Sequence, residues 1–246
     1  MAQAVRVFED HDADDTRSSV VTSLRLVERR TSPRLDIVFP IHNDTHRVAK
    51  RFIDVIVASL LVVVLSPLLL LVWLTVRCTS RGGAIFAQTR IGKGGRRIRV
   101  HKFRTMHVDA ERRLERDAAL RAQHSANGFK LDPRIDPRIT PVGRWLRKLS
   151  IDELPQLFDV IMGRLSLVGP RPVVPDELAR YGDLVCAYLA VRPGVTGLWQ
   201  VSGRSTIAYP ARAEVDFRYV AGWSLRRDAA IMLRTIPAVI ACRGSG

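Results

Sequence analysis

Asp152 and Glu153 stand side by side in a stretch crowded with bases, the part of this 246-residue chain best equipped for chemistry. The run DPRITPVGRWLRKLSIDELPQLFDVIMGRLSLVGPRP, residues 136–172, brings Arg144, Arg147, Lys148, Arg164 and Arg171 close to the pair in sequence and ends in the turn Gly169-Pro170-Arg171-Pro172. Two acids among many bases suit a Mg2+ ion and a pyrophosphate, because cations neutralise charge on the oxygens of a transferring phosphoryl group. Adjacent carboxylates also serve plain helix electrostatics, since free N–H groups and the helix dipole favour negative charge at a helix start. Ser150 followed by Glu153 has the spacing of a capping box, while Pro155 marks a helix start in a different register. Both put the pair at or just before a helix N-terminus, where phosphates also bind.

The elements that must position such a site can be read on either side of it. Residues 84–91 and 97–103 are expected to be strands around the turn Gly92-Lys93-Gly94-Gly95. That turn lacks the GxxxxGK[ST] pattern of a phosphate loop, which leaves a basic turn lying on a membrane surface as the plainer reading. Strand alternation places Lys102 and Arg104 on one face, making both candidates for the site. Residues 108–123 read as one charged helix whose Glu111, Arg112, Glu115 and Arg116 form a solvated face with ion pairs one turn apart. The glycine-rich stretch from Arg192 to Arg204 reads either as a binding loop or as a connection around a packed Trp199. Residues 211–241 read as one or two helices, with Trp223, Leu225, Ile231, Met232 and Ile236 available for the core or a membrane interface.

Residues 52–76, FIDVIVASLLVVVLSPLLLLVWLTV, hold one charge, Asp54. As an unbroken helix they would reach ~37 Å at ~1.5 Å per residue, enough to cross a bilayer. Ser66-Pro67 interrupts them, and a proline there removes a helical hydrogen bond and bends the chain. Each arm alone is too short to span. Both flanks are basic, with Arg47, Lys50 and Arg51 before and Arg77, Arg81, Arg90 and Lys93 after. A re-entrant helix-break-helix puts both flanks at anionic headgroups on one face, whereas a kinked spanning helix would not. The Ser66 hydroxyl can meet a carbonyl freed at the break, and Asp54 can pair with Lys50 or Arg51 one turn earlier.

Composition sets the remaining bounds. The chain carries net charge +15, and residues 1–46 contribute 6 Arg against 8 Asp and Glu, so the body that follows is the basic part. Such a body attracts polyanions: nucleic acid, anionic lipid or phosphorylated substrates. Cys78, Cys186 and Cys242 are far apart and match neither a disulfide framework nor a zinc site, which fits a reducing compartment. Residues 1–46 mix an acidic cluster with Arg, Ser and Thr and read as a disordered extension without signal-peptide character.

Taken in order, these residues resemble the bacterial sugar transferases, the monotopic polyprenyl-phosphate phosphoglycosyl transferases. The likeness runs from Lys50 to Thr235 through seven motifs: Lys50-Arg51 with Asp54; Ser66-Pro67; Phe86-x-Gln88-x-Arg90-x-Gly92; Lys102-Phe103-Arg104; Asp152-Glu153-Leu154-Pro155-Gln156; residues 166–172; and Arg192-Pro193-Gly194. The resemblance implies Mg2+ dependence, with Asp152 and Glu153 at the metal, and a covalent two-step reaction. Asp152 attacks the sugar-bearing phosphate of a UDP-sugar, UMP leaves, and undecaprenyl or another polyprenyl phosphate takes the sugar phosphate. It also implies phosphate ligation by Lys102, Arg147, Arg171 and Arg192, with Gln156 and Arg104 beside them. Lys50, Arg51, Ser66 and Pro67 would seat a re-entrant helix in the bacterial cytoplasmic membrane, with the catalytic domain in the cytoplasm. The implied role is the first membrane step in assembling exopolysaccharide, capsule, O-antigen or glycoprotein glycans, with no nucleic-acid partner and a homodimer left open. Asp159 departs from the Asn common at that position.

The expected fold class is therefore α+β and predominantly helical, with a disordered 1–46, a re-entrant helix-break-helix over 47–80, and a compact catalytic domain with a small β-hairpin over 81–246. A non-catalytic membrane-anchored protein binding anionic lipid or nucleic acid would also explain the charge and the apolar segment, but gives no reason for Asp152 and Glu153 to stand together. A phosphotransferase of the CDP-alcohol class would need a multi-aspartate motif that the sequence lacks.

Overall fold

A computed structural model describes residues 44–126, 131, 136–203 and 207–240. The expected extension over 1–46 therefore lies almost wholly outside the described residues, as do Arg204 and Cys242. The described chain is mostly helical with two small sheets.

The apolar segment forms α1 (Asp44–Val64) and α2 (Ser66–Thr79), bent by 65° at Leu65. Pro67 lies in the first turn of α2, where its missing N–H is least costly. The carbonyl four residues before it, that of Val63, accepts instead from the Ser66 hydroxyl at 2.7 Å. Among the described residues no single helix is long and apolar enough to cross a membrane; the bent pair together meets that length and composition.

The hairpin β1 (Ile85–Ile91) and β2 (Arg97–Phe103) pairs antiparallel with Phe86 opposite Lys102 and Gln88 opposite Val100. Opposite residues share a face, so Phe86, Gln88 and Arg90 lie on the Lys102 side. The strand ends at Phe103, however. Arg104 turns back to the hairpin base, donating from Nε to the Gly83 carbonyl, and its guanidinium lies over the ring of Phe86, the residue opposite Lys102.

The expected helix over 108–123 is two helices, α3 (Ala110–Arg116) and α4 (Ala118–Ala126). Asp117 breaks the run by adopting an extended backbone and capping the second helix, its carboxylate accepting from the Leu120 N–H. The ion pair in α3 joins Arg113 to Asp109 at its cap.

Beyond these lie α5 (Pro141–Lys148), a 3-10 turn (Ile151–Glu153), α6 (Gln156–Ile161) and β3 (Ser166–Val168). Then come α7 (Pro175–Leu178), α8 (Val185–Ala190), β4 (Gly194–Thr196), α9 (Leu198–Ser202), α10 (Ala211–Ala221) and α11 (Leu225–Ile240). The last two confirm a pair of helices over the C-terminal stretch, with Trp223 and Ile231 buried and Ile236 exposed.

The parallel pair β3–β4 was not expected, because three-residue strands leave no readable period. It fixes the Gly169–Pro172 turn. Gly169 N–H donates to the Thr196 carbonyl at 2.9 Å and Gly194 N–H to the Pro170 carbonyl at 2.7 Å. A Cβ on Gly194 would stand 2.1 Å from the Gly169 nitrogen, so only glycine allows this crossing.

Two cores support the frame. Ile91, Val173, Tyr181, Val185 and Tyr188 join the hairpin to the C-terminal half. Val72, Val76, Ala84, Phe103 and Leu146 seat the end of α2 on the hairpin base and α5.

Candidate active site

The acidic pair sits just before a helix N-terminus, in the register that Pro155 marks, and not in a capping box. Thr140 caps α5, its hydroxyl accepting from the Gly143 N–H at 2.9 Å. The chain leaves that helix through Ser150, whose backbone is left-handed at φ 55°. An N-cap needs extended backbone, and Ser150 makes no capping bond. Asp152 and Glu153 then occupy the 3-10 turn, just ahead of α6. The unfavourable backbone at Ser150, of order 1 kcal/mol, lies directly beside the chemistry, as strained residues often do.

Lys102 Nζ donates to Glu153 Oε1 at 2.9 Å, and Arg171 Nη1 reaches the same oxygen at 3.3 Å. Gln156 is buried beside them, and Arg90 lines the same open recess. Arg90 is held by the Gln88 side chain at 2.6 Å and the Pro172 carbonyl at 3.2 Å. Arg147 donates from Nε to Thr105 Oγ1 at 2.8 Å, and its charge acts on Asp152. Asp152 is 8% exposed, and its carboxylate accepts no hydrogen bond from any described residue.

The two acids are driven apart electrostatically. Burial pushes the Asp152 carboxyl up, to about 6; the Glu153 charge adds to this, while Lys102, Arg147 and Arg171 oppose it. Burial acts the same way on Glu153, but Lys102 and Arg171 outweigh it and hold that carboxyl well below the ordinary range. Burial in turn lowers Lys102 and Arg90, the latter to about 10 with Arg171 adding to the effect. The pair is thus one carboxylate locked between cations and one desolvated carboxylate without a hydrogen-bond partner among the described residues.

A scan of known families then gives a match over residues 45–242 to the family described as bacterial sugar transferase. The chain belongs to the bacterial sugar transferase family. This family member is 45% identical to the exopolysaccharide production protein ExoY of Sinorhizobium fredii, covering 80% of the chain and 88% of that protein. It is 44% identical to the undecaprenyl-phosphate galactose phosphotransferase of Salmonella typhimurium, covering 79% of the chain but 41% of that protein. With the UDP-glucose:undecaprenyl-phosphate glucose-1-phosphate transferase of Caulobacter vibrioides the identity is 41%, over 78% of the chain and 69% of that protein.

The sugar transferase brings together some of the residues expected at the site and separates others. Lys102, Glu153, Gln156 and Arg171 share one recess, with Asp152 and Arg147 adjoining through their charges. Arg192 lies elsewhere, donating to the Gly163 carbonyl at 3.0 Å beside Arg47, Arg51 and Lys93. Of the bases near the pair in sequence, Arg164 pairs with Asp159 and Lys148 lies over Trp145. The Arg192–Arg204 stretch follows its packing reading as far as it is described, with Trp199 buried under the Arg212 guanidinium, 4.2 Å from the ring centre.

Lys50 and Arg51, expected at headgroups, are committed to protein. Lys50 pairs with Asp228 at 2.5 Å and Asp54 at 3.8 Å, while Arg51 donates to the Val160 and Ile161 carbonyls at the end of α6. Asp54 also accepts from the Ser166 hydroxyl and the Leu167 N–H. Asp159, the departure from the usual Asn, is fully buried and ties β2 to α6 by accepting from the His101 backbone N–H at 2.8 Å. Arg90 was missed as a site residue, though its cross-strand face with Lys102 follows from simple alternation.

Proposed function

We propose that this sugar transferase moves a sugar-1-phosphate from a UDP-sugar to polyprenyl phosphate, yielding polyprenyl-diphosphate-sugar and UMP. The observation that carries this reading is the split pair: Glu153 locked by Lys102 and Arg171, and Asp152 buried beside it with no hydrogen bond to its carboxylate from any described residue. The names of the Salmonella and Caulobacter relatives support the donor and acceptor classes, and the name ExoY supports a role in exopolysaccharide production.

In the proposed reaction an Asp152 oxygen attacks the sugar-bearing phosphorus. The bond from that phosphorus to the bridging oxygen breaks, and UMP leaves with the oxygen. A polyprenyl phosphate oxygen then attacks the same phosphorus and displaces the Asp152 carboxylate, so atoms balance over the two steps. Desolvation raises the free energy of the Asp152 carboxylate, which favours attack once the group is ionised. Glu153 is held too acidic to serve as a strong base, which assigns it to positioning Lys102 and Arg171. Those cations and Arg90 face the recess where phosphate oxygens would lie, and positioning with charge neutralisation is most of what phosphoryl transfer requires.

Mg2+ fits the donor set. The ion takes one or two protein carboxylates and completes its octahedron with water and substrate phosphate, and the two adjacent carboxylates Asp152 and Glu153 are present. Asp152 and Glu153 would hold it, and when bound it would neutralise charge on the donor's phosphates.

The site is proposed to lie at the cytoplasmic face of a bacterial membrane. Phe52, Val63, Leu70 and Leu71 are each about 60% exposed or more on the bent pair, a large apolar face for a water-filled setting. Committing Lys50 and Arg51 to the body fixes the start of α1 to the domain it serves, and the 65° bend departs from a straight span, as both a re-entrant path and a kinked span would.

The test is UMP release by the purified full chain from a panel of UDP-sugars with Mg2+, with and without polyprenyl phosphate. Sustained release with at least one sugar, dependent on the lipid phosphate, is expected. Absence of lipid-dependent turnover with every sugar would sink the proposal.

A further inference from the structure

A second open recess shares no lining residue with the one beside Glu153. Five cations line it, Arg47, Lys50, Arg51, Lys93 and Arg192, against one carboxylate, Asp54. That carboxylate is already occupied by Lys50, Ser166 and Leu167. Lys50 is likewise spent on Asp228. Asp54 still acts on Arg192, but one carboxylate shared with Lys50 leaves the four remaining cations in excess.

Their positions are built by the fold. Arg51 is fixed by the Val160 and Ile161 carbonyls, at 2.6 and 2.8 Å, and Arg192 by the Gly163 carbonyl. Lys93 projects from the glycine turn of the hairpin and makes no hydrogen bond or ion pair to any described residue. Arg47 has Asp44 at 3.3 Å, a partner whose side chain is 87% exposed and so contributes little. Burial lowers Lys93, and Arg47 and Arg192 lower it further; burial lowers Arg192, with Arg51 and Arg47 adding to it and Asp54 opposing them. Mutual repulsion of this kind is relieved by an anion.

We propose that this recess is a second anion site, distinct from the Asp152–Glu153 site, which takes a phosphate group, monoester or diester, between Lys93, Arg47 and Arg192. The phosphate could come from an anionic lipid headgroup or from free inorganic phosphate. Arg47 and Arg51 lie on the helix that begins the apolar pair, which would bring a headgroup within reach. The inference rests on the recess alone and stands whether or not Asp152 is a nucleophile.

The test is the rate at which Lys93 is acylated by an amine-reactive reagent, read by peptide mass spectrometry on the full chain. An anion held against Lys93 keeps it in its charged, unreactive form and slows acylation roughly tenfold. Lys148, exposed beside Trp145, is the internal control. Inorganic phosphate is compared with chloride at equal ionic strength in detergent, and phosphatidylglycerol nanodiscs are compared with phosphatidylcholine nanodiscs. Protection of Lys93 by inorganic phosphate, lost in Arg47→Gln, supports the site with free phosphate as its occupant. Protection only in phosphatidylglycerol nanodiscs, again lost in Arg47→Gln, supports it with a headgroup as occupant. No protection under either condition, equal protection of Lys148, or protection unchanged in Arg47→Gln overturns the proposal.

Discussion

Two lysines in this protein each stand against a pair of acids, and the two settings have opposite consequences. Lys50 lies between Asp54 and Asp228, and every partner is answered: Asp54 by Ser166 and Leu167, Asp228 by Tyr219 at 2.8 Å and Trp223 at 3.1 Å. Lys102 lies against Glu153 with Asp152 alongside, and there, among the described residues, the hydrogen bonds stop at Glu153. A closed charge cluster is a fastener, whereas an open one keeps a desolvated carboxylate ready for an external partner. Composition is nearly the same in both. What separates structural from reactive is whether the surrounding chain supplies the last hydrogen bonds.

The contrast can be broken by substitution. The largest effect is expected for Asp152→Asn, which removes the nucleophile while keeping shape and should lower UMP release ~10^4-fold or more. Lys50→Met leaves two buried acids without their cation and should cost about 3–5 kcal/mol, read as a lower midpoint in thermal unfolding. If Lys50→Met left the midpoint unchanged, the fastener reading would fail.

Lys102→Gln should act on rate more than on stability, lowering kcat/KM by about 10^2-fold. Because Lys102 holds the Asp152 carboxyl down, its loss should also move the acid limb of the pH–rate profile to higher pH. An unmoved acid limb would show that the two groups are not coupled. In the unaltered protein the attacking form is the ionised one, so activity should rise with pH through about 6 and fall away below it. A profile flat from pH 5 to pH 8 would contradict the raised value at Asp152.

Much of this contrast could be read in the sequence, and the remainder has physical reasons for being hidden. The hairpin was legible because β-alternation flanks a glycine turn, and the break at Ser66-Pro67 because proline's missing N–H has one local remedy, a nearby hydroxyl. The acidic pair and the helix start at Pro155 were visible, but the pair's backbone was not: a left-handed serine has no sequence signature, so the capping-box spacing at Ser150 gives way to a 3-10 turn. The parallel crossing at Gly169 and Gly194 joins chain segments too short to carry a period, and with it went the placement of Arg171 and Arg192. Basic residues in a motif look alike in one dimension. Only the fold assigned Arg171 to Glu153 and Arg192 to a different recess.

The most direct measurement is intact and peptide mass spectrometry of the full chain incubated with a UDP-sugar and Mg2+ but no acceptor. A sugar-phosphate increment on the peptide spanning residues 149–164, localised to Asp152 and discharged by added polyprenyl phosphate, is the predicted result. Turnover by the unaltered protein without any such adduct, or an adduct that persists in Asp152→Asn, would contradict the account.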